Sequence, residues 1–211
     1  MNLYLSSYGL GNASEKLPQL IKGGAKIAVI ANACDSKNMQ NRSEKVEKEL
    51  LELCMLGLQP EELDLRKFYE DKLTRSDLAQ YDGFWVRGGN VFNLRRSMAK
   101  SGFDKLITGL ITDGKFYGGY SAGVCVLSNT LEGIELCDPT DDLPNGMSPE
   151  VIWDGLGILD YSVAPHYQSD HPESAMIDEV VEYFKEHNMP YKTMHDGDVI
   201  VISDTNEEFI S

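Results

Sequence analysis

Gly119-Tyr120-Ser121-Ala122-Gly123 sets one hydroxyl between two glycines, after an apolar run that begins at Phe116 and before Val124-Cys125-Val126-Leu127. A G-x-S-x-G turn joining a strand to a helix is the setting of a nucleophile elbow. The requirement is steric. A sharp strand-to-helix bend leaves no room for side chains two residues either side of the serine. The hydroxyl then projects at a helix N-terminus, where unpaired N–H groups and the helix dipole favour developing negative charge. A plain βα turn can share this composition, so the motif takes its meaning from its flanks and from the small Ala122. A phosphate loop is disfavoured, because no Lys-Ser or Lys-Thr pair follows the glycines.

A serine hydroxyl at its ordinary pKa needs a base within hydrogen-bond reach. The chain has four histidines. His187 falls on the polar side of a charged helical stretch, and His171 directly precedes Pro172, where that helix is expected to start. His166, in Val163-Ala164-Pro165-His166-Tyr167, and His195, beside Asp196, each follow a strand-like run. His166 is favoured over His195 as the base; a loop histidine with a structural hydrogen bond is the plainer role for either.

Phe84-Trp85-Val86-Arg87-Gly88-Gly89-Asn90-Val91-Phe92 is a second strand-to-helix junction. Bare backbone at Gly88 and Gly89 can aim N–H groups at the same point as the N–H of Ala122, and two such donors make an oxyanion hole. Asn90 either caps the following helix or touches substrate. Cys125 lies a helical turn beyond the elbow and is expected to pack inward.

The elements that must position these residues alternate. Strands are predicted at Asn2–Ser6, Lys26–Ala31, Glu62–Leu65, Gly83–Val86, Phe116–Gly118, Tyr161–Ala164, Tyr191–Met194, Val199–Ser203 and Glu208–Ile210. Helices are predicted at Ser43–Leu56, Phe92–Ala99, Phe103–Thr112, Val124–Ser128 and Pro172–His187. The first helix carries Val46, Leu50, Leu53 and Cys54 at helical spacing; the last carries Met176, Ile177, Val180, Val181 and Phe184. Early strands such as Ile27-Ala28-Val29-Ile30 are continuously apolar, as strands covered on both faces are. The pattern implies an α/β fold of three layers: a doubly wound, mainly parallel sheet with helices on both faces. Ligands in such sheets sit beyond the carboxyl ends of the strands, which is where both glycine turns lie.

With 211 residues, 42% of them hydrophobic, the chain is expected to form one domain over 1–211 with a sizeable core. Nineteen basic against 34 acidic residues give a net charge of −15, which disfavours nucleic acid or an anionic membrane surface as a partner. Cys34, Cys54, Cys125 and Cys137 form no CxxC pair and no zinc pattern, so mostly buried thiols in a reduced, cytoplasmic protein are expected. Met1–Leu5 lacks the basic start and long apolar run of a secretory leader, and no stretch reaches the ~20 apolar residues of a membrane span. No His/Cys cluster calls for a metal, and the chemistry needs no organic cofactor. Nothing in the sequence indicates a homo-oligomer, though one is compatible with it.

Taken in order, Arg87-Gly88-Gly89-Asn90, Gly118-Gly119-Tyr120-Ser121-Ala122-Gly123 and Ala164-Pro165-His166-Tyr167 resemble the serine dipeptidase family of peptidase E (aspartyl dipeptidase) and cyanophycinase. The landmarks run from about residue 84 to 167, and the combination is more specific than any one motif. The resemblance implies a class I glutamine amidotransferase-like fold and a serine-type peptidase acting on small peptides. It implies Ser121 as nucleophile, His166 as general base, Gly88 and Ala122 as oxyanion donors, and Asn90 lining the site. The acid corresponds either to Asp196, in Met194-His195-Asp196-Gly197, or to the Glu135–Asp138 region, with Asp196 favoured and Asp138 as the alternative. Relatives specific for aspartyl dipeptides carry basic residues after the histidine. Here Gln168–Ser174 has none, and the first is Lys185, which predicts no strict Asp-Xaa preference unless Arg87, Arg95 or Arg96 substitutes. An esterase or other amide hydrolase using the same serine, or a silent ligand-binding member of the fold, are the rival readings.

Overall fold

A computed structural model of the chain describes residues 1–35, 41–204 and 206–211. Nine strands run β1 (Asn2–Ser6), β2 (Lys26–Ile30), β3 (Gln59–Glu62), β4 (Gly83–Val86), β5 (Phe116–Tyr120), β6 (Ser162–Ala164), β7 (Tyr191–Thr193), β8 (Val199–Ser203) and β9 (Asn206–Ile210). The α-helices are α1 (Leu17–Leu20), α2 (Arg42–Met55), α3 (Arg75–Leu78), α4 (Val91–Ser101), α5 (Asp104–Thr112), α6 (Ala122–Cys125) and α7 (Ser174–Glu186).

Seven strands form the central sheet in the order β3-β2-β4-β5-β1-β8-β9. The first five are parallel to one another; β8 and β9 are antiparallel additions at one edge. β6 and β7 make a separate parallel pair. Alternating residues supply two cores. Leu3, Leu5, Ala28, Ile30, Phe84 and Val86 face a cluster with buried residues of α4, α5, α6 and α7. Tyr4, Ile27, Val29, Trp85 and Phe116 face a second cluster with Leu17 of α1 and Leu53 of α2. Burial on both faces is why these strands read as unbroken apolar runs. The expected three-layer, mainly parallel α/β architecture is the one observed.

Several boundaries differ from expectation. β3 covers Gln59–Glu62, not Glu62–Leu65. It is an edge strand, where polar residues face water, and the apolar Leu63 and Leu65 enter the core only after it ends. Gln59 and Leu63 donate their N–H groups to the carbonyls of Ala25 and Val29 beside β2, so the intervening Pro60 presents its nitrogen outward. α7 begins at Ser174 rather than Pro172, with Glu173 as its N-cap residue.

The buried face of α2 is Arg42, Val46, Glu49 and Leu53, which leaves Cys54 exposed. Cys34 and Cys137 are partly exposed and only Cys125 is buried, so the expectation of mostly buried thiols is corrected. Among the described residues, no helix is long and apolar enough to cross a membrane.

Candidate active site

The turn after β5 is as cramped as its glycines require. A Cβ on Gly119 would lie 2.4 Å from the Val86 carbonyl oxygen, and one on Gly123 would lie 2.2 Å from the same atom. Their absence lets the turn sit directly on the end of β4. Ser121 occupies φ 50°, ψ −119°, a conformation that L-residues rarely adopt. Its carbonyl accepts the N–H groups of Val124 and Cys125, which starts α6, and the buried Tyr117 hydroxyl donates to the Gly123 carbonyl (2.6 Å). Ala122 is the first helical residue, so its N–H is one of those a helix leaves unpaired.

The end of β4 lies against this turn. A Cβ on Gly88 would meet Ser121 Cβ at 2.9 Å and the Tyr120 ring at 3.0 Å. Gly89 has φ 142° and abuts the Ala33 carbonyl, so only glycine lets the chain pass there. Asn90 caps α4, accepting from the Asn93 N–H (2.9 Å), and donates through Nδ2 to the Pro139 carbonyl (2.8 Å). Cap and cleft-lining roles therefore coincide in one residue.

His166 follows β6 in a left-handed conformation, φ 61°, and its ring is buried. Nδ1 lies 2.6 Å from Asp196 Oδ1. Ser7, just past β1, braces both residues. Its Oγ accepts the His166 backbone N–H (2.9 Å) and donates to Asp196 Oδ1 (3.1 Å) or the Met194 carbonyl (3.3 Å). Asp196 is further held by its N–H to Ser169 Oγ (2.8 Å). Burial pushes the imidazole below its ordinary pKa of 6.5; the Asp196 hydrogen bond opposes that shift and the nearby His171 adds to it. His195, the rival base, is exposed and rests against Tyr167. His187 stacks on Tyr183.

Asp138 is engaged elsewhere. Its carboxylate accepts the Val91 N–H (2.7 Å) at the N-terminus of α4. Burial pushes its pKa up to about 7 against that hydrogen bond. It is thus neither a solvated loop acid nor, in this arrangement, a partner of His166.

Tyr8, Cys34, Lys45, Arg87, Gly88, Gly89, Asn90, Tyr120, Ser121, Asp142, His166, His171 and Glu173 all line one open cleft of about 320 Å³ at the carboxyl ends of the strands. Tyr8, Cys34, Lys45, Asp142, His171 and Glu173 were not legible as site residues, and the last two lie against His166. His171 stacks face to face on His166, ring centroids 3.7 Å apart and planes 8° apart. Glu173 brings Oε2 to 3.9 Å from His166 Nε2. The expected helix start at Pro172 hid both; the chain instead stays in a loop until Ser174.

Ligand-type atoms of His166, His171 and Glu173, and of Cys137, Asp138 and Glu173, lie within 4.8 Å of one another. In the first group the imidazoles are stacked rather than convergent. His171 Nδ1 also accepts the Glu173 N–H (3.2 Å), and His166 Nδ1 faces Asp196. That arrangement differs from a preformed metal site, whose ligand lone pairs point at one centre.

Below the cleft, Glu49 of α2 is buried and accepts from Trp85 Nε1 (2.5 Å) and the Tyr120 hydroxyl (2.9 Å), with Arg87 Nε at 3.2 Å. Arg87 also reaches Cys34 Sγ (2.6 Å) and the Gly88 carbonyl (3.0 Å). Arg95 and Arg96 are not surface charges. Arg95 is buried on Asp104 and the Asp154 carbonyl; Arg96 is buried on the Glu150 and Thr140 carbonyls. Neither lines the cleft.

A model of peptidase family S51 matches residues 6–210. The uncharacterized peptidase Lmo0363 of Listeria monocytogenes is 36% identical over 114 residues, 54% of this chain and 53% of that protein. A peptidase E of Streptomyces coelicolor is 28% identical over 142 residues, covering 64% of this chain and 54% of its own length. The chain spans about half the length of the curated relatives it matches. A Listeria monocytogenes crystal structure provisionally named peptidase E superposes with a TM-score of 0.78 at 26% identity, over 99% of this chain and 97% of that one. A peptidase from an acI-B1 actinobacterium, at 16% identity and a TM-score of 0.63, shares the fold.

Proposed function

The chain belongs to peptidase family S51, and from that premise we propose that it is a serine-type peptidase hydrolysing short peptides, dipeptidase-like, through an acyl-enzyme. Ser121 is the nucleophile and His166 the general base. Asp196 orients the imidazole and stabilises its charged form. As Ser121 Oγ attacks the peptide carbonyl, His166 Nε2 takes its proton, and the oxyanion is received by the N–H groups of Gly88 and Ala122. His166 then protonates the leaving amine, and water releases the acyl group by the same steps reversed.

The observation that carries this reading is one cleft holding Ser121, strained at φ 50°, together with His166, whose far nitrogen is 2.6 Å from Asp196. An imidazole kept neutral by burial suits a base. The engagement of Asp138 with α4 supports Asp196 as the acid.

The test is Ser121→Ala assayed on a panel of dipeptides and esters. Turnover should fall by roughly 10⁶ if the three groups act as a unit. Near-full activity in the variant would overturn the assignment. Within the panel, Asp-Xaa should not dominate. Lys45 and Arg87 are the only Lys or Arg side chains among the described cleft residues, and Arg87 is already committed to Glu49. A panel cleaving esters but no peptide would favour the esterase reading.

A further inference from the structure

Ser6 and Ser7, the last residue of β1 and the one after it, touch all three residues of the proposed triad. The Ser6 carbonyl accepts the Ser121 N–H (3.4 Å). Ser7 Oγ accepts the His166 N–H (2.9 Å) and lies 3.1 Å from Asp196 Oδ1 and 3.3 Å from the Met194 carbonyl. The support beneath this hydroxyl is firm. β1 is paired on both sides, with β5 and β8, and the Ser7 N–H donates to the Asp198 carbonyl (3.0 Å). Ser7 is fully buried and does not line the cleft.

Asp196 Oδ1 is also the oxygen that faces His166 Nδ1 (2.6 Å). The Ser7 hydroxyl has one proton and two acceptors within reach. A carboxylate is the stronger acceptor and here the nearer one, so the proton goes to Asp196. A buried backbone N–H is costly to leave unpaired. His166 is also held at φ 61°, a conformation that persists only where its surroundings impose it. One oxygen thus anchors the backbone of the base and the side chain of the acid. The base works from one tautomer: Nδ1 must carry the proton so that Nε2 is free to accept. Donation from Ser7 favours the ionised form of Asp196, which only accepts and so calls for the proton on Nδ1.

We propose that Ser7 is a positioning residue for the hydrolysis: its hydroxyl, shared between the His166 backbone and the Asp196 carboxylate, keeps the imidazole in the orientation and tautomer that leave Nε2 free to take the serine proton. This rests on the serine peptidase reading above and adds the group that holds base and acid in register. Ser7 exchanges no proton with the substrate and does not touch it.

The experiment follows kcat and KM against pH for one cleaved dipeptide in wild type, Ser7→Ala, Asp196→Asn and the double variant. In Ser7→Ala, kcat should fall by about 10- to 100-fold, the worth of a hydrogen bond to a charged group, with KM unchanged. The titratable groups facing His166 are Asp196, His171, Glu173 and Tyr8, and all of them remain in that variant. Losing the donor makes Asp196 more basic, which stabilises the imidazolium, so the acid limb of kcat/KM should move to higher pH. In the Asp196→Asn background, Ser7→Ala should lower kcat by a smaller factor, because the carboxylate it serves is gone. Ser7→Cys, which nearly keeps the volume with a poor donor, carries the same expectations if Ser7→Ala fails to fold. Wild-type kcat in the variant, a loss carried by KM, an unmoved acid limb, or an equal cost in both backgrounds each overturns the role. Ser121→Ala is run alongside. If it is inactive while Ser7→Ala is unimpaired, the positioning role alone falls. If Ser121→Ala keeps its activity, or wild type cleaves no peptide, the peptidase reading falls and the role of Ser7 with it.

Discussion

Gly123→Ala isolates the steric argument behind the serine turn. Gly123 is helical, so alanine there meets no backbone penalty, and in an open helix it would be neutral or better. Here the new Cβ would sit 2.2 Å from the Val86 carbonyl oxygen. Reaching an ordinary 3.4 Å contact requires α6 and the end of β4 to separate by about 1.2 Å. Overpacking of this kind costs about 1–3 kcal/mol. For a chain of this length that lowers Tm by about 2–12 °C. The displacement falls on Ser121, the N-cap residue of α6, and on Gly88, just past β4, so it opens the gap between the proposed nucleophile and the proposed Gly88 donor. A shift on the order of 1 Å there should lower kcat/KM by about 10²-fold. Calorimetry and steady-state kinetics on the purified variant read both effects. Gly23→Ala is the control, since a Cβ there meets nothing within 4 Å. If Gly123→Ala unfolds and turns over like wild type, or if Gly23→Ala is harmed equally, the reasoning from contact at the elbow is wrong.

Two further outcomes follow from the electrostatics. His166 must be neutral to accept a proton, and burial depresses its pKa, so the neutral form persists below pH 6.5 and the acid limb of kcat/KM should have its midpoint under 6.5; a midpoint above that value contradicts the burial seen here. Glu49→Leu strands the Trp85 N–H, the Tyr120 hydroxyl and the Arg87 guanidinium without their shared acceptor, which should cost about 3–5 kcal/mol in chemical unfolding, while Glu49→Gln, which keeps an acceptor, should cost less; equal stability of Glu49→Leu and wild type would refute the network.

The glycine turns were legible because glycines at fixed spacing about a serine, or paired at a strand end, form a local motif. The clashes that select Gly88, Gly119 and Gly123 are not local: they fall on Ser121 and on Val86 across the β4–β5 pair, and only the folded sheet brings them together. The Asp196 contact to His166 was legible only as a preference, since 30 residues separate the two and the contact depends on how β6 and β7 pair. His171 and Glu173 were missed because a proline followed by glutamate is an ordinary helix opening. In the structure a loop with left-handed backbone at His166 and Gln168 intervenes, His171 and Glu173 line the cleft from it, and α7 begins only at Ser174. Arg95 and Arg96, offered as substitutes for the missing basic residues, fail for a different reason: distant backbone carbonyls hold and bury both away from the cleft. β3 was displaced because an edge strand needs no apolar run, whereas the core-filling leucines after it do not need to be strand.

The outward nitrogen of Pro60 bears on how the chain behaves in company. A free sheet margin is a template on which another molecule's strand can grow, and such growth begins with an amide hydrogen offered to a neighbour. At the β3 margin that hydrogen is missing, and the acidic Glu61 and Glu62 come directly after it. The opposite margin, β9, carries Glu207 and Glu208. Concentrated solutions should therefore resist sheet-to-sheet aggregation even though the sheet is open at both sides. Replacing Pro60 by a β-branched residue would supply the absent donor and with it a foothold for polymerisation.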